Sequence, residues 1–364
     1  MFDSKANSSH VLHVVGARPN FVKLAAVFTA LKDRTIRQSI VHTGQHYDDD
    51  MSRIFFKQLG IPDPDFNLDV GSGSQAQQTS AIVSRFERVV IDARPALVMV
   101  YGDVNSTLAA ALVCSKLLIP VAHVEAGLRS FDRTMPEEIN RVLTDQMSSL
   151  LFTPSIDANR HLTKEGIPKA KVFLVGNVMI DTLKRLLPYV TADSTAELPE
   201  KYVLVTLHRP SNVDDTARLR QWLDTLEELS ALLPVIFPVH PRTRQKILEL
   251  GAHAHSATLQ FCGPQPYLRF LWMEKNALCV ITDSGGIQEE TTFLGTPCLT
   301  VRDNTERPIT IEMGTNVLVG LDRKRLKTEV EQIFIGFRKK GTIPPLWDGC
   351  AAERIASILS SQGL

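Results

Sequence analysis

Two acidic residues stand directly after apolar runs that predict neighbouring buried strands. Asp103 follows the run 96–101 within the turn 102–107, and Glu125 follows the run 120–124. In open α/β sheets, ligands bind at the edge formed by the carboxyl ends of the parallel strands. We therefore expect both carboxylates at a ligand-binding edge. Asp103 has a structural alternative as the cap of the next helix, which is weaker for Glu125 because no helix follows it immediately.

A glycine turn between a buried strand and a helix forms a second candidate site. Residues 277–290 begin as a β-branched apolar run, break at Asp283-Ser284-Gly285-Gly286 and continue with helical spacing. Glycines let the backbone approach a ligand closely, and the first N–H groups of a helix bind phosphate or carboxylate. The alternative is an ordinary helix start, with Ser284 as its cap beside two turn glycines. The short motif alone leaves both interpretations open.

Two cations accompany the first predicted strand-to-helix turn. Arg18 lies in the loop after the run 11–15, and Lys23 follows about one turn into the next helix. Positive side chains at a helix N-terminus are unfavourable with the helix dipole. We therefore interpret the pair as holding an anion rather than as two surface cations.

Histidines follow predicted strands in the second half of the chain. His208 and His240 each come after a buried run, and each has an arginine close by. A lone loop histidine is usually structural, but histidine is also the common acid–base side chain near neutral pH. The gathering at one edge favours the acid–base interpretation. By contrast, Pro136 and the acids after it are typical of any helix start, so that pattern alone indicates a structural Glu137.

Strands that alternate with helices in both halves predict the elements that position these side chains. The pattern favours two doubly wound parallel sheets, with a linker region at 188–199 and a hinge near Gly176. Two such halves predict an enzyme whose ligand lies between its domains. The segment 71–76 matches the dinucleotide fingerprint G-x-G-x-x-A. We reject that match because the segment does not follow the first strand of a unit.

Composition excludes several other classes of protein. The chain has 364 residues, no formal net charge, 44% hydrophobic residues and 22% charged residues. This fits a two-domain globular enzyme rather than a protein that binds nucleic acid or a membrane surface. Its five widely spaced cysteines include no Cys-x-x-Cys pair, which argues against zinc and disulfides and for the cytoplasm. We expect neither a signal peptide in the polar start nor a membrane-spanning helix.

A series of motifs carries a resemblance to a known family. They are Gly-Ala-Arg-Pro from Gly16, Gly-Asp-x-x-Ser-Thr from Gly102, His-Val-Glu-Ala-Gly-Leu-Arg from His123, Pro-Glu-Glu-x-Asn-Arg from Pro136, His-Arg from His208, Thr-Asp-Ser-Gly-Gly-Ile-Gln-Glu-Glu from Thr282 and Thr-Glu-Arg-Pro from Thr305. In this order, and over nearly the whole chain, the sequence resembles the non-hydrolysing UDP-N-acetylglucosamine 2-epimerases.

The resemblance implies a GT-B fold, in which two Rossmann-like domains with parallel sheets face a central cleft. The N-terminal domain would span 1–176 and be joined by a last helix at about 350–364, and the UDP-binding domain would span 177–349. It also implies that UDP-N-acetylglucosamine and UDP-N-acetylmannosamine are interconverted. No metal or nicotinamide cofactor would be required, and the usual assembly would be a homodimer.

The reaction of the family assigns roles to the candidate residues. UDP is lost from C1 and a proton from C2, and UDP adds back to the bound 2-acetamidoglucal after the proton returns on the other face. By resemblance, the acid–base and positioning set is Asp103, Glu125, Glu137 and His208. Phosphates would be held by Arg18, Lys23, His208, Ser284 and Gly285, with Gly286 in the same turn, uracil by Gln265 and Phe270, the ribose by Glu290 and the sugar side by Arg307.

Departures from the family pattern bear on regulation and on the sugar. Tyr47 and Pro210 stand where many bacterial members carry arginines of a second, activating substrate site, so we expect no such regulation here. The segment 130–135 resembles a subgroup that includes epimerases of UDP-2,3-diacetamido-glucuronate. A GT-B glycosyltransferase, which would need an acceptor cleft, and a non-catalytic sugar-nucleotide sensor are the alternatives.

Overall fold

The computed structural model describes residues 7–32, 34, 36–44, 56–191, 198–251 and 258–364. The chain forms two compact units: the first ends at Arg185 and takes in Pro345–Leu364, and the second spans Leu186–Pro344. Each unit contains one parallel sheet. The domain limits predicted near residues 176 and 350 stay a prediction.

The sheet of the first unit has seven parallel strands in the order β3-β2-β1-β4-β5-β6-β7. Its strands are β1 (Asn7–Val15), β2 (Arg37–His42), β3 (Phe66–Asn67), β4 (Pro95–Tyr101), β5 (Val121–Val124), β6 (Leu150–Thr153) and β7 (Val172–Leu174). The helices are α1 (Arg18–Lys32), α2 (Gln75–Ala93), α3 (Asn105–Lys116), α4 (Pro136–Met147), α5 (Ile156–Lys164) and α6 (Val178–Leu186). The continuous apolar sequence of strands such as β4, which is buried at every residue, reflects helices on both faces of the sheet.

One edge of this sheet differs from the prediction. The strand β3 is two residues long and lies between two prolines and the glycine-containing stretch 71–76, where the sequence predicts a loop rather than a strand. The glycine-containing stretch 71–76 leads into α2, whose N-terminus carries a capping box between Ser74 and Gln77. These side chains bond backbone N–H groups that a phosphate would need, which agrees with rejecting the dinucleotide fingerprint. The helix predicted at about 48–59 lies mostly outside the described residues.

The sheet of the second unit has six parallel strands in the order β10-β9-β8-β11-β12-β13. Its strands are β8 (Val203–Thr206), β9 (Val235–Pro238), β10 (Leu259–Cys262), β11 (Cys279–Thr282), β12 (Cys298–Thr300) and β13 (Asn316–Leu318). The helices are α7 (Pro210–Val213), α8 (Thr216–Ser230), α9 (Pro241–Glu249), α10 (Tyr267–Asn276), α11 (Gly285–Leu294), α12 (Pro308–Glu312) and α13 (Arg323–Phe334). Sequence reasoning missed β13 because it has only three residues, two of which are half-buried.

Both sheets reverse their strand order at one point. In the first sheet this point lies between β1 and β4, and in the second it lies between β8 and β11. In doubly wound folds, ligands bind outside the carboxyl ends of the strands at such a switch point. The loops that follow these four strands therefore hold the candidate functional residues.

The C-terminal segment packs within the first unit. The indole N–H of Trp347 donates to the carbonyl oxygen of Pro154 at 3.0 Å, ahead of the last helix, α14 (Ala351–Ser361). The backbone N–H of Ala352 donates to the carboxylate of Asp181 on α6 at 2.6 Å. Cys350 makes no side-chain bond at the N-cap position, so Asp181 supplies an acceptor that the helix start needs.

Asp181 makes the stability of this packing depend on pH. Burial raises the pKa of Asp181 to about 6, although the N–H groups of Ala352 and Ala351 act to lower it. An aspartate in the unfolded chain titrates near 3.8, so the folded state holds the proton more tightly. The resulting stability is complete below about pH 4 and is lost as pH rises through about 6.

We expect Asp181→Asn to abolish this pH-dependent contribution. A shift of roughly two pKa units corresponds to about 3 kcal/mol. Relative to wild type, the variant's free energy of unfolding should therefore rise by up to about 3 kcal/mol between about pH 4 and about pH 7. Urea unfolding of both proteins across this range measures the difference, and a difference that does not change with pH would contradict the assignment.

Candidate active site

Asn20 joins the two loops at the switch point of the first sheet. Its side-chain oxygen accepts hydrogen bonds from the backbone N–H groups of Gly16 and Ala17 at 3.3 and 3.2 Å. Its amide nitrogen donates to the carbonyl oxygen of Tyr101 at 2.8 Å. Because Asn20 is buried, these bonds fix the loop after β1 against the end of β4. Arg18 begins α1 at this place and is half-buried.

Lys23 and Glu125 form a buried ion pair at the same edge. Lys23 Nζ lies 2.6 Å from Glu125 Oε1, and each side chain is only 4% exposed. Glu125 has a left-handed backbone with φ +73°. For a non-glycine residue this conformation costs about 1–3 kcal/mol and is concentrated at functional sites. Lys23 balances the charge of Glu125, and its predicted contact with phosphate stays a prediction.

Gly102 has no side chain, and the ion pair of Lys23 and Glu125 lies close to the position that a side chain would take. Its φ is +64°, and a Cβ at its position would lie 2.9 Å from Lys23 Nζ and 3.5 Å from Glu125 Oε1. Glycine is the residue that adopts this backbone without strain and permits so close an approach. The turn therefore carries Asp103, the next residue, to the edge where Glu125 lies.

The helix α4 holds Asp103 from the other side. The guanidinium of Arg141 pairs with the Asp103 carboxylate and also lies 3.0 Å from Glu138. The amide of Asn140 donates to the backbone carbonyl oxygen of Asp103 at 2.9 Å. Glu138 is buried, whereas its neighbour Glu137 is half-buried in the first turn of the helix. Glu138 is thus the acid that organises this helix start, and the acid–base role of Glu137 stays a prediction.

A buried histidine contacts the Gly102 turn from within the sheet. His123 Nε2 lies 2.7 Å from the carbonyl oxygen of Gly102, and His123 Nδ1 lies 2.7 Å from Asp145 Oδ1. The other oxygen of Asp145 lies 2.7 Å from Arg129 Nη1. Burial acts to raise the pKa of Asp145, but the charges of His123 and Arg129 hold it below its ordinary value.

Asp283 joins the two loops at the switch point of the second sheet. It is fully buried after β11, and its carboxylate accepts hydrogen bonds from the backbone N–H groups of His208 and Arg209 at 3.1 and 3.0 Å and from the amide of Asn212 at 3.1 Å. Burial acts to raise the pKa of Asp283, but the charge and hydrogen bond of the His208 ring, followed by the bonds from Arg209 and Asn212, hold it below its ordinary value. His208 Nδ1 lies 2.9 Å from Asp283 Oδ1, and the side chain of His208 is 49% exposed. The ring of His208 is therefore anchored at one nitrogen and open to solvent.

The N-terminus of α11 presents the predicted glycine turn. Ser284 takes the N-cap position, but its side chain makes no cap bond to the helix. A Cβ on Gly285 would lie 2.4 Å from Arg307 Nη1 and 2.8 Å from Glu306 Oε1. Glycine is thus required for Arg307 to lie against the helix start. Gly286 follows in the first turn and is half-buried.

Three arginines meet two glutamates beside this helix start. Glu306 lies 3.3 Å from Arg209, 2.7 Å from Arg302 and 2.5 Å from Arg307, and Arg307 also lies 3.0 Å from Glu289. Within this group the cations outnumber the anions by one. An excess positive charge next to helix N–H groups favours the binding of an anion.

The remaining candidates of the second unit lie on α10, just ahead of it, and on α11. Glu290 is buried and accepts a hydrogen bond from the hydroxyl of Tyr267 at 2.6 Å. Burial raises the pKa of Glu290 to about 7, although Tyr267 and Glu274 act to lower it. Burial and the charge of Glu290 raise the pKa of Glu274 well above its ordinary value. Gln265 and Phe270 are half-buried.

The described residues support neither a metal site nor a membrane-spanning segment. No group of three or more His, Cys, Asp or Glu side chains among them is arranged to hold a metal ion. None of the helices that the structure describes combines the length and the apolar character needed to cross a membrane.

Comparison with known proteins decides the family. Residues 29–360 match the sequence profile described as UDP-N-acetylglucosamine 2-epimerase. The chain belongs to this epimerase family. A UDP-N-acetylglucosamine 2-epimerase from Methanocaldococcus jannaschii is 42% identical over 359 residues, which cover 95% of this chain and 98% of that protein.

Two further similarities concern the sugar and the fold. A UDP-2,3-diacetamido-2,3-dideoxy-D-glucuronate 2-epimerase from Pseudomonas aeruginosa is 42% identical over 354 residues, covering 96% of this chain and 99% of that protein. A crystal structure of Methanocaldococcus jannaschii UDP-GlcNAc 2-epimerase in complex with UDP-GlcNAc and UDP superposes with a TM-score of 0.90 at 41% identity, covering 97% and 99% of the two chains. The predicted family, its enzyme class (an isomerase) and the GT-B fold are thereby confirmed.

The structure adds residues that sequence reasoning did not select and that contact the candidate residues. They are His123, Arg129, Glu138, Arg141, Asp145, Asp283 and Glu306. Their partners lie far away in the sequence: His123 is 22 positions from Asp145, and His208 is 75 positions from Asp283. For His123 and Asp283, the sequence did contain a signal that could have found them, because each is an ionisable residue inside or directly after a buried strand. Tyr47, which bears on the activating site, lies outside the described residues, and the absence of that regulation stays a prediction.

Proposed function

We propose that this epimerase interconverts UDP-N-acetylglucosamine and UDP-N-acetylmannosamine by inverting the configuration at C2. The observation that carries the proposal is the agreement, along 97% of the chain, with a crystal structure that holds UDP-GlcNAc and UDP. The positions of the motif residues at the switch points of both sheets add support, because these are the usual ligand-binding places of the fold.

The proposed chemistry is an elimination followed by an addition. A base takes the proton from C2 while UDP leaves C1 with the electron pair of the C–O bond, and a C1=C2 double bond forms in a 2-acetamidoglucal. A proton then returns to C2 on the opposite face, and the UDP oxygen adds back to C1. The reaction requires acid–base groups near C2 and stabilisation of the departing pyrophosphate.

We assign proton transfer and positioning to Asp103, Glu125, Glu137 and His208. Glu125 lies beside Lys23, and Asp103 lies beside Arg141. Each acid thus contacts a cation that holds its side chain in place at the candidate site. The strained backbone of Glu125 supports a functional role for this residue in particular.

We assign the binding of UDP to the start of α11 and to the cations near it. The uncapped N–H groups at Gly285 and the excess positive charge around Arg307 suit a pyrophosphate. His208 and Arg18 would add phosphate contacts, Glu290 would accept the ribose hydroxyls, and Gln265 and Phe270 would contact uracil. A homodimer belongs to the same proposal and is testable by sedimentation velocity.

A second substrate has specific support. The Pseudomonas aeruginosa relative, which is as similar in sequence as the Methanocaldococcus jannaschii one, is named for UDP-2,3-diacetamido-2,3-dideoxy-D-glucuronate. This sugar also carries an N-acetyl group at C2 and differs at C3 and C6. Epimerisation of this sugar by the same residues is therefore the alternative.

A parallel assay separates the two substrates. The purified protein is incubated with each UDP-sugar alone, and the products are followed by proton NMR. We expect UDP-N-acetylmannosamine to form from UDP-N-acetylglucosamine. Turnover of the diacetamido-glucuronate alone would move the assignment to that sugar, and no product from either one would contradict the proposed function.

A further inference from the structure

We propose that His123 is a positioning residue held as a fully buried imidazolium, which fixes the Gly102 turn and thereby the placement of Asp103 and Glu125. The inference rests on the proposed function, since it takes these two acids as the groups that act on the sugar. His123 lies behind the acids, inside the sheet on β5, so its effect on the reaction passes through them.

The hydrogen-bond partners set the charge of the ring. His123 is 0% exposed, and its Nε2 lies 2.7 Å from the carbonyl oxygen of Gly102. A carbonyl oxygen only accepts, so Nε2 carries a proton. His123 Nδ1 lies 2.7 Å from Asp145 Oδ1. If Asp145 is ionised, Nδ1 must carry a proton as well, because a carboxylate also only accepts.

The surroundings of Asp145 keep it ionised. Its Oδ2 accepts a hydrogen bond from the backbone N–H of Gly127 at 3.1 Å and lies 2.7 Å from Arg129 Nη1. Arg129 in turn donates through Nε and Nη2 to both oxygens of Glu165 at 2.7 and 2.6 Å. His123, Asp145, Arg129 and Glu165 therefore form a row of alternating charges with no net charge. A buried cation is tolerated when it is paired and hydrogen-bonded in this way.

The contact reaches the acids through Gly102. The Gly102 N–H donates to the carbonyl oxygen of Val124, the residue before Glu125, at 3.0 Å. A Cβ on Gly102 would lie within 3.5 Å of both Lys23 Nζ and Glu125 Oε1, so this turn leaves little space for displacement. If the bond from His123 is lost, the turn that carries Asp103 loses a fixed point. Displacement of a reacting group by about 1 Å can reduce a rate about 10²-fold.

Three variants test the proposal on the full chain. His123→Phe keeps a planar aromatic ring and removes both donors. Asp145→Asn retains the hydrogen bonds of the ring, because its amide donates to Nδ1, but it leaves the histidine neutral. His10→Phe is the matched control. His10 is also buried and is hydrogen-bonded to Ser39, but it lies in the N-terminal half of β1, away from the edge formed by the carboxyl ends of the strands.

The first readout is independent of turnover. NMR of protein labelled with ¹⁵N-histidine should show protons on both ring nitrogens of His123 in wild type at neutral pH, whereas a neutral ring would carry a proton on one nitrogen only. In Asp145→Asn, the proton on Nδ1 should be lost. A neutral His123 in wild type would overturn the proposal whatever reaction the protein catalyses.

The second readout separates positioning from folding. We expect His123→Phe to lower kcat about 10- to 100-fold while the affinity for UDP, measured by calorimetry, stays within about twofold of wild type. His10→Phe should leave kcat within a similar twofold range. An unchanged kcat in His123→Phe, or an equal loss in His10→Phe, would overturn the positioning role. If wild type epimerises no UDP-sugar, the proposed function fails, and the NMR result still decides the state of His123.

Discussion

Glu125→Gln is expected to lower kcat by about 10²–10⁴-fold, the contribution of a group that transfers a proton in the transition state. Glutamine has nearly the same shape and retains an oxygen near Lys23, but it cannot take a proton. The affinity for UDP should remain close to that of wild type, because we assign the nucleotide to other residues. Initial rates with saturating UDP-sugar and calorimetric titration with UDP give the two numbers.

The control for this variant is Asp157→Asn. Asp157 lies in the same unit and is 8% exposed, against 7% for Glu125, so both changes remove a buried carboxylate. The control should retain kcat, whereas a general loss of folding would affect both variants. If Glu125→Gln turned over at the rate of wild type, Glu125 would be a structural acid at a strand end. The proton transfer would then have to be assigned to Asp103 or Glu137.

Asp283→Ala is expected to destabilise the second unit by about 1–3 kcal/mol for each donor that loses its buried acceptor. The change leaves the backbone N–H groups of His208 and Arg209 and the amide of Asn212 without the acceptor that they share. It also frees the ring of His208, which lies 2.9 Å from Asp283. We therefore expect weaker UDP binding as well as an unfolding transition at lower urea concentration.

Asp215→Ala is the control against which the loss of stability in Asp283→Ala is compared. Asp215 also accepts two backbone N–H bonds, from Ala217 and Arg218, but as an exposed helix cap. Removing such a cap costs about 1 kcal/mol, and UDP affinity should not change. An Asp283 variant no less stable than the Asp215 variant would show that the carboxylate is not what holds the two loops together.

The fold was predictable because its signals are local. Buried parallel strands read as continuous apolar runs, and Asp103, Glu125 and His208 stand directly after such runs, where the fold collects ligand-binding groups. The family motifs then identified the GT-B fold. The elements missed or shortened, β3 and β13, have two and three residues and lie at sheet edges, where burial leaves little pattern.

The support of the site was not predictable, because it depends on pairs that meet only in three dimensions. Lys23 was expected to hold a phosphate, and its partner Glu125 lies 102 positions away. In the sequence, Asp283 is only the residue at which the apolar run ends. In the structure, its carboxylate accepts hydrogen bonds from the loop at His208. The helix-start pattern does not distinguish Glu137 from Glu138, and only the family motif selected Glu137, whereas the structure buries only Glu138. Side-chain geometry therefore had to supply the positioning residues.

The central claim is that this family member inverts C2 of a UDP-sugar through loss and return of the C2 proton. Incubation with UDP-N-acetylglucosamine alone in deuterated water tests it most directly, with the products followed by NMR and mass spectrometry. The account predicts UDP-N-acetylmannosamine that carries deuterium at C2. Product without deuterium would contradict an exchange of this proton with solvent. An unchanged substrate would contradict the epimerisation itself, and it is the result expected of a glycosyltransferase that lacks its acceptor or of a sensor.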